Sequence, residues 1–284
     1  SQANHSMKDE KDHTDDYQID DYPIEDYYTD DYETDDYETD DYETDDHKTD
    51  HSEPEHIDIT DQILGTNNGS REMLWEGDVI APRSRNAMAC YNNNCRWRKG
   101  RNGFITVPYT ISRAFSRRDM QKIDVGMKSF HGRSCIRFVK RTNQRDFISI
   151  ENRSGCFSSL GRVGGRQILS LSKRGCLHHG IIQHEINHAL GFHHEQNRSD
   201  RDQHVRINWQ YIQRGMGSNF QKERTNNLNT PYDYTSVMHY GKTAFSTQRG
   251  RNTIVPIPNP NVQIGQRQDM SRIDIQRLNK LYKC

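Results

Sequence analysis

The chain has 284 residues, a formal net charge of only −1, and no apolar run near the roughly 20 residues needed to cross a bilayer. That total hides two opposite parts: residues 1–85 carry 6 Lys+Arg against 28 Asp+Glu, a net of −22, whereas residues 86–284 carry 33 against 12, a net of +21. We therefore expect a soluble chain with no membrane span, made of an acidic part and one basic domain.

The acidic part opens with low-complexity sequence over residues 1–62. Within it the pentapeptide Asp-Asp-Tyr-Glu-Thr occurs three times between Asp30 and Thr44. A period of five fits neither a helix nor a strand, and large aliphatic side chains are too few to offset the entropy of ordering the backbone. We expect a disordered, solvating tract. A tract that shields the basic domain until it is removed is the alternative.

Residues 63–85 regain apolar side chains and end in the basic sequence Pro82-Arg83-Ser84-Arg85. This pattern favours the ordered end of a pro-peptide, followed by a cleavage site for a trypsin-like protease at Arg85. The predicted organisation is therefore a pro-peptide at 1–85 and a catalytic domain at 86–284.

The basic domain is predicted to begin with a strand and a helix. Strand-like clustering covers Gly103–Ile111, and apolar residues at helical spacing follow over Ser112–Phe130. The same patterns predict four further elements: strands at Ile136–Val139, Phe147–Glu151 and Gln167–Leu171, and a helix at Cys176–Leu190. A closing helix is predicted at Ser271–Tyr282. This mixture indicates an α+β domain.

The cysteines and the first residue both favour secretion. All six cysteines lie in the basic part, and an even number in one domain is typical of disulfides formed in an oxidising compartment, although fifteen pairings are possible. The chain begins with Ser1 and shows no apolar signal segment, so we expect that a signal has been removed and that the protein is secreted, with storage in zymogen granules as one route.

Four Asn-x-Ser sequons are candidates for glycosylation: Asn4, Asn68, Asn152 and Asn197.

The chemistry is concentrated in the motif HExxHxxGxxH at residues 184–194. Residues four apart share one face of a helix, so His184 and His188 can bind the same zinc ion. Gly191 permits a left-handed turn that brings His194 back as the third ligand. The remaining position would hold water, whose pKa zinc lowers to about 7, with Glu185 as general base for peptide-bond hydrolysis. Three neighbouring histidines fall outside the ligand spacing and are assigned to surface or supporting positions: His178, His179 and His193.

A second motif, Ser236-Val237-Met238-His239-Tyr240, supports the first. It is predicted to form a tight turn that places Met238 beneath the zinc as an apolar floor. The Tyr240 phenol could bind zinc in the resting enzyme and then swing away to stabilise the developing oxyanion.

Together the two motifs resemble the astacin family of metzincin zinc peptidases. The family signature continues the zinc motif through Phe192 and Glu195, and its Met-turn reads SVMHY, as at residues 236–240. The resemblance covers residues 86–284 plus the segment Trp75–Asp78. It implies a cleft between an upper subdomain of twisted sheet plus two helices and a lower, mostly irregular subdomain with a C-terminal helix.

The resemblance also implies how the enzyme is kept inactive before cleavage. Astacins carry an F-x-G-D segment in the pro-peptide, here Trp75-Glu76-Gly77-Asp78, in which Trp75 would be the hydrophobic anchor and Asp78 would occupy the water position on zinc. Cleavage after Arg85 would free Asn86, whose ammonium would fold inward to reach Glu195, directly or through water. Three disulfides are implied: Cys90–Cys95, Cys135–Cys284 and Cys156–Cys176.

Six-cysteine astacins include fish hatching enzymes, which digest egg-envelope glycoproteins. The resemblance therefore implies a secreted, monomeric zinc endopeptidase zymogen with this role, and the basic charge would favour an acidic, glycosylated matrix. Other six-cysteine astacins of gut, kidney or brood tissue are the alternative, followed by a cationic matrix-binding protein with a vestigial metal site. No nucleic-acid recognition motif is present.

Overall fold

The computed structural model describes residues 59–68, 70–81 and 94–284. The predictions for the acidic repeat, Arg85, Asn86, Cys90 and the Asn4 sequon concern residues outside these ranges. No helix in the described part of the chain has both the length and the apolar composition to cross a membrane.

A seven-stranded sheet forms the upper half of the domain. Its strands run in the spatial order β1-β2-β6-β7-β5-β3-β4. They are β1 (Leu74–Trp75), β2 (Val79–Ile80), β3 (Ile105–Ile111), β4 (Ile136–Lys140), β5 (Phe147–Glu151), β6 (Cys156–Ser158) and β7 (Arg166–Leu171). Strands β4, β3, β5 and β7 are mutually parallel, whereas β6 runs antiparallel to β7. The acidic part thus supplies the β1–β2 hairpin, which extends the sheet beside β6.

Four α-helices are present in the described residues: α1 (Ile59–Asn67), α2 (Arg117–His131), α3 (His179–Ala189) and α4 (Arg272–Tyr282). Two of them begin with the same device, in which an N-cap serine and an aspartate three residues later satisfy each other's backbone N–H. Ser116 and Asp119 form this box at α2, and Ser271 and Asp274 form it at α4.

The main core lies between the sheet, α2 and α3, and it extends to α4. Helices α2 and α3 cross where Gly126 faces Ile182, with no room for a Cβ at position 126. A second apolar cluster, which includes Phe220 and Tyr240, holds the lower half. Regular structure there is limited to short 3₁₀ turns and the antiparallel pair of β8 (Val205–Ile207) and β9 (Ile254–Pro256). This division places α3 and its histidines between the two halves.

The predicted helix at Cys176–Leu190 is wrong at its start, because α3 begins only at His179. Cys176 is tied by a disulfide to Cys156 in β6, which holds the chain against the sheet. The helix predicted from Ser112 likewise begins later, at Arg117, where Ser116 caps it. Strands β1, β2 and β6 were not predicted, because two or three residues are too few to show a period.

The ordered end of the acidic part was predicted to start at residue 63, but helix α1 begins earlier, at Ile59. Ile63 is 1% exposed and joins the main core, while Leu64 packs against the lower cluster. Trp75 is 49% exposed, so its prediction as a hydrophobic anchor is wrong. The anchoring apolar contacts come from α1 instead, because a helix can bury a whole face where a two-residue strand cannot.

Candidate active site

Helix α3 presents His184 and His188 from one face, one turn apart, and both are fully buried. Gly191 adopts φ +103° just beyond the helix, the left-handed conformation that glycine tolerates best. The chain therefore turns back, and His194 enters the same space, also fully buried. The predicted geometry of the motif is present in the structure.

Two distant aromatic residues fix the end of α3. The Trp97 indole Nε1 donates a hydrogen bond to the Ala189 carbonyl at 2.9 Å, and the Tyr282 hydroxyl donates to the Leu190 carbonyl at 2.9 Å. The last carbonyls of a helix have no partner within it, so these bonds satisfy groups that would otherwise be buried without one. These two hydrogen bonds stabilise the turn that positions His194.

Each of the three imidazoles uses its Nδ1 atom for a hydrogen bond to an oxygen that can only accept. His184 Nδ1 lies 2.8 Å from the Val237 carbonyl, and His188 Nδ1 lies 2.7 Å from the Phe192 carbonyl. His194 Nδ1 lies 2.8 Å from a carboxylate oxygen of Glu76. Because the proton must sit on Nδ1 to make these bonds, each ring in its neutral form turns its Nε2 lone pair toward the other two.

The three Nε2 atoms converge on one small space. His184 Nε2 lies 3.2 Å from Nε2 of both His188 and His194. Lone pairs facing one another at this distance are an arrangement that a cation stabilises, and neutral imidazole nitrogens suit zinc. The donor set therefore fits a zinc ion.

Asp78 places a carboxylate in the same space. Its Oδ2 lies 2.9 Å from His184 Nε2, and its Oδ1 lies 3.2 Å from Nε2 of His188 and of His194. The β1–β2 hairpin delivers it, because Ser158 N in β6 donates to the Asp78 carbonyl at 2.9 Å. Among the described residues, Asp78 and the three histidines are the group of His, Cys, Asp or Glu side chains that could hold a metal, with ligand atoms within 4.8 Å of one another.

The electrostatics of this space favour positive charge. Burial alone would raise the pKa of Asp78, but the three facing imidazoles hold it well below its usual range. Burial alone would lower the pKa of His194, but Asp78 and Glu76 raise it to about 9. The same two carboxylates would favour a metal cation between the rings.

Glu185 lies next to this centre on α3 and is fully buried. Neither of its carboxylate oxygens has a hydrogen-bond partner. Burial, and then the negative charge of Asp78, raise its pKa well above the ordinary value. An acid group held without a partner beside the three histidines is free to bond with a reactant rather than with the protein.

The predicted Met-turn reaches the histidines through its backbone, since the Val237 carbonyl lies 2.8 Å from His184 Nδ1. Met238 is buried in the main core, and its carbonyl accepts a hydrogen bond from Glu195 N at 3.0 Å. The turn itself is held by Asp274 of α4, which accepts from Ser236 Oγ at 2.5 Å and from Val237 N at 2.9 Å. Asp274, which belongs to the capping box of α4, therefore also positions the turn whose Val237 carbonyl contacts His184.

Tyr240 does not join the metal-binding group in this structure. Its ring packs against His194 with 4.5 Å between centroids, while its hydroxyl donates a hydrogen bond to the backbone carbonyl of Glu76. The phenol is therefore held by the β1–β2 hairpin, on the side of the centre that Asp78 occupies.

Glu195, which would look like a surface acid from sequence alone, is 2% exposed. Arg277 of α4 forms a two-pronged ion pair with it, Arg198 Nη1 lies 3.4 Å from it, and Asp233 N donates to it at 2.7 Å. Its predicted partner Asn86 lies outside the described residues, so that contact stays a prediction.

The disulfides link distant parts of the domain. Cys135 is bonded to Cys284, and Cys156 is bonded to Cys176, as the resemblance implies. The third pair, Cys90 with Cys95, stays a prediction because Cys90 is outside the described ranges.

The family model for the astacin peptidases matches residues 90–283, well over half of the chain. The chain belongs to the astacin family. The predicted α+β fold, metalloendopeptidase activity and zinc cofactor are confirmed by this match and by the similar proteins that follow.

Several similar proteins support this conclusion. This astacin is 58% identical over 228 residues to high choriolytic enzyme 2 of Oryzias latipes, and the match covers 80% of the chain and 82% of the relative. It is 45% identical over 227 residues to the astacin-like metalloendopeptidase of Gallus gallus, covering 80% of the chain and 55% of that relative. A solved structure of high choriolytic enzyme 1 from medaka, described as a hatching enzyme zinc-protease, matches with a TM-score of 0.68 and 57% identity, covering 70% of this chain and 100% of that one.

Three residues at this site were not found by sequence reasoning: Glu76, Asp274 and Arg277. Asp274 carries a visible signal, since it follows Ser271 at the spacing of a capping box, but that signal predicts only a helix start. Glu76 and Arg277 carry none. Their partners are more than 80 residues away along the chain.

Proposed function

We propose that this astacin is a secreted zymogen, and that His184, His188 and His194 hold its zinc while Asp78 blocks the position needed by water. The observation that carries the proposal is the Asp78 carboxylate, which lies within 3.2 Å of all three Nε2 atoms. A hard oxygen ligand suits the fourth position of a tetrahedral zinc site.

Two side chains and the zinc ion would share the chemistry once Asp78 has left. Zinc supplies Lewis acidity, which makes water acidic enough to attack a peptide carbonyl near neutral pH. The Glu185 carboxylate would accept a proton on an oxygen and later pass it to the leaving amine. The Tyr240 hydroxyl, released from the Glu76 carbonyl, would donate a hydrogen bond to the developing oxyanion and could reach the metal in the resting enzyme.

Activation would follow cleavage after Arg85 by a trypsin-like protease. The new ammonium of Asn86 would move inward to Glu195, and a buried charge requires such a partner. Arg277 and Arg198 already contact this carboxylate, so we infer that the ammonium joins an existing ion-pair network, directly or through water.

The proposed role is digestion of egg-envelope glycoproteins at hatching, by an enzyme acting as a monomer. The similarity to proteins named choriolytic enzymes and the net charge of +21 on residues 86–284 support it. Secretion is supported by the two disulfides, which form in oxidising compartments. A different astacin role in gut, kidney or brood tissue is the second candidate, supported by the 45% identity to an astacin-like metalloendopeptidase.

The test compares the intact chain with the trypsin-treated chain on casein and on isolated egg envelope. We expect cleavage of casein only after trypsin treatment and loss of cleavage on chelation. Cleavage of casein without digestion of the envelope would leave a zinc endopeptidase but remove the hatching role. Persistent inactivity with zinc bound would favour a cationic matrix-binding protein.

A further inference from the structure

The backbone of Glu76 adopts a conformation that its residue type disfavours. Glu76 has φ +48° and the next residue, Gly77, has φ +83°. Together they form the turn between Trp75 and Asp78, closed by a hydrogen bond from Asp78 N to the Trp75 carbonyl at 3.2 Å. Positive φ at both central positions favours Asn or Gly, and a glutamate there needs a compensating interaction.

The side chain of Glu76 supplies that interaction. It is 5% exposed, and its Oε1 lies 2.7 Å from His193 Nδ1. Its Oε2 accepts from His194 Nδ1 at 2.8 Å and from His194 N at 3.2 Å, and its backbone carbonyl accepts from the Tyr240 hydroxyl. A single residue of the hairpin thus contacts three residues of the matched astacin domain.

The contacts of Asp78 and Glu76 differ in kind. Asp78 faces the Nε2 atoms that would bind zinc, so a cation between them strengthens its contact with the catalytic domain. Glu76 faces N–H and O–H donors, and such charge-assisted hydrogen bonds need no metal. The two neighbouring carboxylates therefore hold the same hairpin through different kinds of contact.

We propose that Glu76 is a second, metal-independent latch, which holds the β1–β2 hairpin on the catalytic domain and keeps the Tyr240 phenol away from the metal position. The proposal rests on the proposed zymogen function. It predicts that the hairpin remains docked when zinc is removed, and that Asp78 contributes less to docking once zinc is removed.

The test measures hydrogen–deuterium exchange of amides in residues 73–81 of the full, uncleaved chain, zinc-loaded and chelated. We expect Glu76→Gln to speed exchange about tenfold or more in the chelated chain, since it removes a buried charge-assisted pair of hydrogen bonds. Asp78→Asn should speed exchange more in the zinc-loaded chain than in the chelated chain. The matched control is Glu72→Gln, which removes a partly exposed ion pair with Arg153 beside the measured segment.

His193→Ala gives a second measurement, because it removes one Glu76 partner without changing a metal ligand. It should also speed exchange, but by a smaller factor than Glu76→Gln does. The latch is overturned if chelated Glu76→Gln exchanges like chelated wild type, or if chelation alone frees the wild-type hairpin. Exchange involves no catalysis, so this outcome is separate from the zymogen test, which reads activity of the uncleaved chain.

Discussion

Val237 and His184 lie 53 residues apart, and a hydrogen bond of 2.8 Å joins the carbonyl of one to Nδ1 of the other. The turn that positions this carbonyl is held in turn by Asp274, the capping residue of α4. A metal-binding ring is thus oriented by the start of the final helix. Such supporting contacts fix the tautomer and direction of a metal-bound histidine.

Asp274→Ala should weaken zinc retention and lower stability. It leaves the buried N–H of Val237 and the partly buried N–H of Ser271 without their acceptor, which costs about 2–4 kcal/mol. Loosened supporting contacts typically reduce metal affinity about tenfold to a hundredfold. Unfolding by urea and zinc competition with a chelator measure the two effects. Asp119→Ala is the control, since Asp119 caps α2 in the same way but remotely from the site. Equal zinc retention in both variants would contradict the positioning role.

Glu185→Gln should keep zinc and lose turnover. The substitution preserves size but removes the base, and positioned acid–base groups contribute roughly 10²–10⁴-fold to rate. Zinc content and casein cleavage by the trypsin-treated variant provide the measurement. Near-normal turnover would contradict the role of Glu185 as general base.

Asp78→Ala should give activity in the uncleaved chain, because the carboxylate no longer occupies the position among the three histidines. Mass spectrometry must confirm that the chain stays uncut during the assay. Glu72→Ala serves as the control in the same segment. If the Asp78 variant stays fully silent, latency depends on occlusion of the cleft by the hairpin and α1 instead.

Glycosylation should follow the exposure of the Asn side chains. Asn197 is fully buried, and its Nδ2, the atom that would carry a glycan, donates to the carbonyls of Asn219 at 3.0 Å and Gln221 at 2.8 Å. Asn68 is exposed, and Asn152 uses only its Oδ1, which accepts from Lys173 N. We expect glycans at Asn68 or Asn152 and none at Asn197, measured by ¹⁸O labelling during enzymatic glycan release. A labelled Asn197 in folded protein would contradict this.

Gly180→Ala should destabilise the domain. A Cβ at this position in the first turn of α3 would lie 1.7 Å from the Arg267 carbonyl oxygen, so the backbone would have to move. Overpacking of this kind typically costs about 1–3 kcal/mol. Thermal unfolding of this variant can be compared with Gly132→Ala, where nothing lies within 4 Å of the added carbon and φ is −80°. Equal melting temperatures would show that α3 shifts freely.

Local geometry explains what could be predicted. The spacing of His184 and His188 fixes a shared helix face, and Gly191 fixes a turn, because both depend only on neighbouring residues. The same reasoning found the longer sheet strands β3, β4, β5 and β7, whereas β1, β2 and β6 are too short to carry a period. The observed starts of α2 and α3 differ from the predicted ones because a cap and a disulfide, respectively, determine them.

The sequence by itself determined the candidate reaction centre: three converging histidines, a neighbouring acid and the SVMHY turn, each carried by a short motif. Only the tertiary structure decided what holds that centre. Glu76 meets His194 across 118 positions and Arg277 meets Glu195 across 82, and no local pattern encodes contacts between segments so far apart. Trp75 is exposed for the same reason, because the packing of α1, rather than the residue type at position 75, decides which side chain is buried.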